Sequence, residues 1–291
     1  MNTPVGSDFH YLWRQATIQV GVCWRGCMAD ALSDRLGKIL PGGKGVWIPM
    51  DHGASSFPVR GLEDTDSAVD AVISGGADAI VMQKGLLSHN SARNGWDGYV
   101  CHVSVSTVHG GDRSQDKISV ATASESKKRG AIGVSAQVNL GDDFENHMIE
   151  RLGQITSQAL EEEMPVLGMV YPRGPNLAID EDDPTGGVSH AVRLAWELGC
   201  HVAKVPWTGS AESFSRVTKA TPIPVLIAGG PMGDDFVSIL STVEEAMSAG
   251  CAGVCMGRQV FGSEDPESRV RALRAVVHDG KTASEASLLL R

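Results

Sequence analysis

Eight short apolar runs punctuate the chain: "VWIPM" (46–50), "AIVM" (79–82), "YVCHVSV" (99–105), "AIGVSAQV" (131–138), "VLGMV" (166–170), "HVAKV" (201–205), "PVLIA" (224–228) and "AGVCM" (252–256). Strands buried on both faces read as near-continuous apolar runs of this length. Helical patterns lie between them. Ala68, Val69, Val72 and Ile73 share one face of 62–76, which closes at Gly75-Gly76. Phe144, Met148, Leu152, Ile155 and Ala159 recur at helical spacing, and that pattern stops before Pro165. The stretches 188–199 and 234–250 repeat the scheme and end at Gly199 and Gly250.

Strand–helix alternation predicts parallel strands joined by right-handed crossovers. Eight such units in a 291-residue chain place it in the α/β class as a (β/α)8 TIM barrel, a fold that usually takes ~250 residues. The competitor is a doubly wound open sheet. Its glycine-rich phosphate loop should follow the first strand, where this chain reads "MDHGASS" instead. Residues 1–40, with Trp13 and Trp24, are expected to be a helical lead-in packed on the barrel or on a neighbouring subunit. Residues 41–291 are expected to be a single barrel domain. Pro49 is the weak point of the first strand, because it removes a donor.

The net charge of −10, from 25 basic and 35 acidic side chains, argues against nonspecific nucleic-acid binding, which needs basic surface. It leaves a small anionic substrate open, since a local cationic pocket can sit on an acidic protein. Cys23, Cys27, Cys101, Cys200, Cys251 and Cys255 lack zinc spacing and are expected to be free thiols in a reducing compartment. The histidines are dispersed, so no metal and no cofactor is expected. No run approaches the ~20 apolar residues of a membrane helix, and no secretion signal is evident. A cytoplasmic homo-oligomer is the expectation, with no membrane partner.

In such a barrel the chemistry lies at the C-terminal ends of the strands. Those ends carry Asp51 and His52, Gln83 and Lys84, His102 through His109, Gln137 and Asn139, Tyr171 and Arg173, Lys204, Gly229-Gly230, and Gly257-Arg258. Lys204 interrupts an apolar strand. Burial disfavours an ammonium and lowers its pKa, and a neutral amine can attack a ketone to form an iminium. The plainer alternative is a structural lysine, snorkelling or ion-paired. Tyr171 could shuttle a proton or simply pack. Asp51 could orient the lysine, accept a proton, or cap the next helix. Gly229-Gly230 after the seventh strand and Gly257 after the eighth let backbone approach a phosphate, and Arg258 adds charge. His102 and His109 read as core or loop histidines before substrate ligands.

The stretches "WIPMDHGASS", "GLED", "VMQKGL", "GMVYPRGPN", "AKVPWTGS", "IPVLIAGGP" and "CAGVCMGRQVF" occur in this order over most of the chain. In these the chain resembles the archaeal-type class I aldolase family (DhnA-like), which shares a barrel with deoxyribose-phosphate aldolase. The resemblance implies Lys204 as Schiff-base lysine, Tyr171 as proton donor and Asp51 as acidic partner. It also implies Gly229, Gly230, Gly257 and Arg258 around a substrate phosphate. The expected reaction joins a phosphorylated ketose fragment, from dihydroxyacetone phosphate or a deoxy-ketohexose phosphate donor, to an amino-acid aldehyde, L-aspartate semialdehyde. Arg173 is placed to take the aldehyde's carboxylate, and Asp51 with the carbonyls near His52 its ammonium. Family members often read "MHKG" where this chain has Gln83-Lys84, and a glycine often stands in place of Phe57, before Pro58. Three alternatives stay open: a fructose-bisphosphate aldolase, a thiolase-type enzyme acting on a phosphorylated diketone, and a phosphosugar-binding barrel without catalysis. The first would need a second phosphate site, and no second paired-glycine loop with arginine is visible.

Overall fold

Each of the eight apolar runs supplies one strand of the barrel. The computed structural model describes residues 30–178, 183–230 and 235–290. Its strands are β1 (Gly45–Pro49), β2 (Ala79–Gln83), β3 (Tyr99–His102), β4 (Gly133–Leu140), β5 (Val166–Pro172), β6 (Val202–Val205), β7 (Val225–Ala228) and β8 (Gly253–Cys255). They pair in parallel with their chain neighbours, and β8 pairs with β1 to close the ring. The chain thus forms a (β/α)8 barrel. Closure leaves no sheet edge to protect, and the helices cover the outer face.

Alternation along each strand decides what faces the barrel interior. Val202, Leu167, Met169, Leu226 and Cys255 belong to the interior cluster, whereas Ala203, Val205, Val166 and Val170 pack outward in the strand–helix layer. Lys204 and Tyr171 therefore point inward, above an apolar floor of Val202, Met169 and Leu226. On β4 the outward set is Val134, Ala136, Val138 and Leu140. The inward set is Ser135, Gln137 and Asn139, a polar stripe along one wall of the barrel.

The opposite end of the barrel is closed. Helix Asp30–Ile39 lies across the N-terminal strand ends, and Ile39 and Leu40 join the interior cluster. The buried Trp47 indole donates to the Ile39 carbonyl at 2.6 Å, and Arg35 donates to the carbonyls of Glu162 and Glu163 at 2.8 and 2.6 Å. Trp13, Trp24, Cys23 and Cys27 lie outside the described residues. Cys101, Cys200, Cys251 and Cys255 are buried free thiols.

Two boundaries differ from the apolar pattern. The run 99–105 is not one strand. Val103 donates to Ser135 at 2.8 Å, and the chain then leaves the barrel: Ser104–Val105 pairs antiparallel with Ile118–Ser119. This ribbon carries residues 104–119 over the mouth between β3 and β4. Pro49 proves harmless because it ends β1, and Met50 restores the ladder by donating to Val81 at 2.7 Å. Among the described residues no helix is long and apolar enough to cross a membrane.

Candidate active site

Lys204 is 8% exposed and sits in the layer above Val202. The Tyr171 hydroxyl and the Cys255 thiol are within hydrogen-bonding reach of its amine. Tyr171 arrives from β5, whose Met169 is the register partner of Lys204. Cys255 arrives from β8, across β7. Asp51 opens the short 3-10 turn Asp51–Ala54 just after β1. Four strands thus converge on one amine.

The charge state of that amine corrects the sequence-based expectation. Burial does push the Lys204 ammonium down, but anionic charge on Cys255, Tyr171 and Asp51 pulls the other way and its pKa stands above the ordinary lysine range; of the three, only Asp51 carries that charge near pH 7. Burial pushes the Cys255 thiol up to about 11 and raises the Tyr171 phenol, so both are neutral near pH 7. Asp51 is the anion. Burial would raise its carboxyl, but His102, His52 and Lys204 together hold it below the usual carboxylate range. Burial holds His102 at about 4 and lowers His52, which leaves Lys204 as the positive partner of Asp51 near neutrality. The resting site holds an ammonium and a carboxylate that feel each other's charge without a direct ion pair among the described residues. Burial without partners, the basis of the sequence-based argument, omits the three groups that reverse its sign.

His102 is a wall residue. Its Nδ1 meets Ser135 Oγ at 2.8 Å, its Nε2 meets Ser104 Oγ at 3.2 Å, and Asp51 Oδ2 is 3.8 Å from Nε2. Gln137 donates its backbone N–H to Ser104 Oγ at 3.0 Å, and Gln83 donates to the Ser104 carbonyl at 3.1 Å. His52 lies edge-on to Phe261 at 5.4 Å, with Asp51 3.8 Å from its Nδ1. That Nδ1 is buried and has no hydrogen-bond partner among the described residues. His109 is exposed on the loop, and Lys84 turns away to pair with Glu125 at 3.2 Å.

On the β7–β8 side Arg258 donates to the Gly230 carbonyl at 2.9 Å, so the two glycine-bearing loops are joined by the guanidinium. Gly257 packs tightly: a Cβ there would lie 2.2 Å from the Pro49 carbonyl oxygen and 3.0 Å from His52 Cε1. On the β4–β5 side Arg173 lies over the Tyr171 ring, 5.0 Å from its centroid, and donates to Asn139 Oδ1 at 2.9 Å. Arg173 and Gly174 both donate their backbone N–H groups to the Leu140 carbonyl, at 3.2 and 2.8 Å. The predicted residues Asp51, His52, Tyr171 and Lys204 therefore meet at the centre, with Gly229, Gly230, Gly257 and Arg258 on one flank and Arg173 on the other.

Two residues of this site are missing from the sequence-based candidate set. Cys255 is an ordinary apolar strand position until β8 is placed beside β6. Lys117 sits in the polar loop "GGDRSQDKIS", where a lysine looks like a solvated charge. It is 9% exposed, and its nearest charges include Arg173 and Asp51.

Comparison with known proteins gives the family. The chain belongs to the DeoC/LacD aldolase family, whose pattern matches residues 46–263. It is 40% identical over 254 residues to the 2-amino-3,7-dideoxy-D-threo-hept-6-ulosonate synthase of Halobacterium salinarum, covering 87% of this chain and 94% of that protein. It is 35% identical over 242 residues to the 2-amino-4,5-dihydroxy-6-oxo-7-(phosphonooxy)heptanoate synthase of Streptomyces griseus, covering 82% and 86%. Among solved structures it matches an archaeal fructose-1,6-bisphosphate aldolase whose catalytic lysine is covalently bound to the carbinolamine intermediate. That match has a TM-score of 0.74 at 27% identity, over 84% of this chain and 99% of that one. The chain is an aldolase of class I.

Proposed function

We propose that the protein joins a phosphorylated ketone donor to L-aspartate semialdehyde through an iminium on Lys204. One observation carries the reading: a buried amine at the barrel mouth with a neutral phenol in hydrogen-bonding reach and a carboxylate as its anionic neighbour. Lys204 loses its proton and adds to the donor ketone, and the carbinolamine loses water to give the iminium. The cationic nitrogen withdraws electrons from the adjacent carbon. Loss of a proton there gives the enamine, whose carbon attacks the aldehyde, and water then releases the product. Tyr171 supplies and removes protons at the carbinolamine and at the new hydroxyl. Asp51 keeps the amine oriented and stabilises positive charge at the nitrogen. Gly229, Gly230, Gly257 and Arg258 hold the donor phosphate, His52 borders the donor, and Arg173 receives the carboxylate of the aldehyde.

The names of the two synthases support an amino-acid-bearing product, and the second adds a terminal phosphate. Fructose-bisphosphate cleavage is kept as the second reading because Lys117 supplies the further cation near Arg173 that the sequence lacked as a visible motif. The test has two parts. Dihydroxyacetone phosphate followed by borohydride should leave an adduct on Lys204, absent from Lys204→Ala. An adduct on another lysine sinks the chemical assignment. An aldehyde panel read by product mass should favour L-aspartate semialdehyde, whereas brisk cleavage of fructose 1,6-bisphosphate with no use of that aldehyde would replace the substrate assignment.

A further inference from the structure

Lys117 is a buried ammonium that the proposed steps on Lys204 do not use. Its Nζ donates to Ser106 Oγ at 2.6 Å, and it forms no ion pair among the described residues. Ammonium groups are almost never this buried without a carboxylate. The adjacent carboxylate is unavailable: Asp116, itself buried, is held by Arg113 at 2.6 Å and by Arg151 at 2.5 Å. Arg151 also grips the Lys117 carbonyl at 2.9 Å, and Ser106 donates its own hydroxyl to the Ser114 carbonyl at 2.6 Å. The backbone and the tether of this lysine are both fixed, while its charge is left uncompensated.

Its surroundings point into the mouth. The charges felt by Lys117 are the Arg173 guanidinium and, with opposite sign, Asp51. His102 feels Lys117 in turn. Asn139 ties the two cations together, accepting from Arg173 at 2.9 Å and donating to the Gln115 carbonyl at 2.8 Å, two residues before Lys117. Asp142 faces Arg173, but its Oδ1 accepts from the Phe144 N–H at 2.9 Å. In the ring order, β3 and β4, which the Lys117 ribbon joins, lie diametrically opposite β7 and β8, which carry the glycine loops and Arg258. A substrate whose phosphate lies at Arg258 and whose reacting carbon lies at Lys204 must extend its far end toward Lys117.

We infer that Lys117, with Arg173, binds the anionic group of the second substrate, the aldehyde, and so sets which aldehyde is used. The inference rests on the aldolase reading above. A carboxylate or a phosphate would satisfy the same pair of cations, and a charge-assisted contact of this kind is worth about tenfold to a hundredfold in discrimination.

The test compares two matched pairs of aldehydes with dihydroxyacetone phosphate as donor: succinate semialdehyde against butanal, and glyceraldehyde 3-phosphate against glyceraldehyde. The readout is the ratio of kcat/KM within each pair, which cancels general damage to the enzyme. In wild type one anionic aldehyde is preferred. In Lys117→Met that preference falls by about tenfold or more, while Lys117→Arg keeps it within a few-fold. Lys117→Gln, which retains a donor to Ser106, gives the same measurement should the methionine variant not fold. A fall in the carboxylate ratio supports both the inference and the amino-acid aldehyde. A fall in the phosphate ratio supports the inference and overturns L-aspartate semialdehyde as substrate. Unchanged ratios in the variants lacking the charge overturn the inference, even where overall rates drop. Borohydride trapping on Lys204 is scored separately, so loss of the underlying aldolase reading is told apart from loss of this one.

Discussion

Asp51 Oδ2 stands 3.8 Å from His102 Nε2, yet the two do not share a salt bridge near neutral pH. Burial keeps the imidazole neutral down to about 4, and Ser104 and Ser135 occupy its nitrogens. The carboxylate is left for Lys204.

A stability prediction follows from that histidine. Its folded pKa is depressed to about 4, so the unfolded chain binds more protons between pH 6.5 and 4, and stability is lost as pH falls through that window. His201, also held at about 4 by burial, acts in the same direction. At pH 5 each should cost about 2 kcal/mol relative to pH 7. Urea denaturation at the two pH values should show the loss, and His102→Gln should remove about half of the combined effect. A midpoint that does not move between pH 7 and pH 5 counts against the neutral assignment.

The raised Lys204 ammonium makes a kinetic prediction. Imine formation needs the free amine, so single-turnover trapping by borohydride should accelerate as pH rises from 6 to 9. Asp51→Asn removes the anion that helps hold the proton, and the rise should move to lower pH even if the maximum rate drops. A profile that merely scales down without shifting would assign Asp51 to proton transfer alone.

Tyr171→Phe preserves the ring beneath Arg173 and removes the hydroxyl beside the amine. Turnover should fall about 10²–10⁴-fold, with the KM for the phosphorylated donor little changed. Retention of the full rate would make Tyr171 a packing residue.

Gly257→Ala tests the fit between the eighth loop and the first. The added Cβ would meet the Pro49 carbonyl oxygen at 2.2 Å and His52 Cε1 at 3.0 Å, so the chain beneath Asp51 must shift. The variant should lose about 1–3 kcal/mol of stability and most of its activity. Native-like thermal unfolding with native-like kcat would show that the contact yields freely.

The eight strands are legible in the sequence because a strand buried on both faces has no polar face to hide its pattern. Lys204 is legible for the same reason: an amine is conspicuous in "HVAKV", and parity with Val202 turns it inward. Lys117 is not legible, because a lysine in a polar loop gives no local sign that the loop folds back under itself. The direction of the Lys204 pKa is not legible either. It depends on Tyr171, Cys255 and Asp51, which come from three other strands and meet only when the ring closes. The break at Val103 is hidden because its trigger is a pairing between Ser104–Val105 and Ile118–Ser119, fourteen positions apart in sequence number and apolar only in part.

The plug of Ile39, Leu40 and Trp47 beneath the barrel has a consequence for traffic. Lys204 stands above that plug, so among the described residues the N-terminal end of the barrel offers no way to it. On the proposed reading, in which Lys204 bonds the first substrate, the donor reaches the amine from the mouth and then lies beneath the aldehyde that follows it. The water expelled on forming the imine and the water that later cleaves it pass through the same opening, so the last molecule to arrive stands between solvent and the covalent bond. Order of addition, and protection of the intermediate until its partner has reacted, then follow from a cylinder stopped at one end.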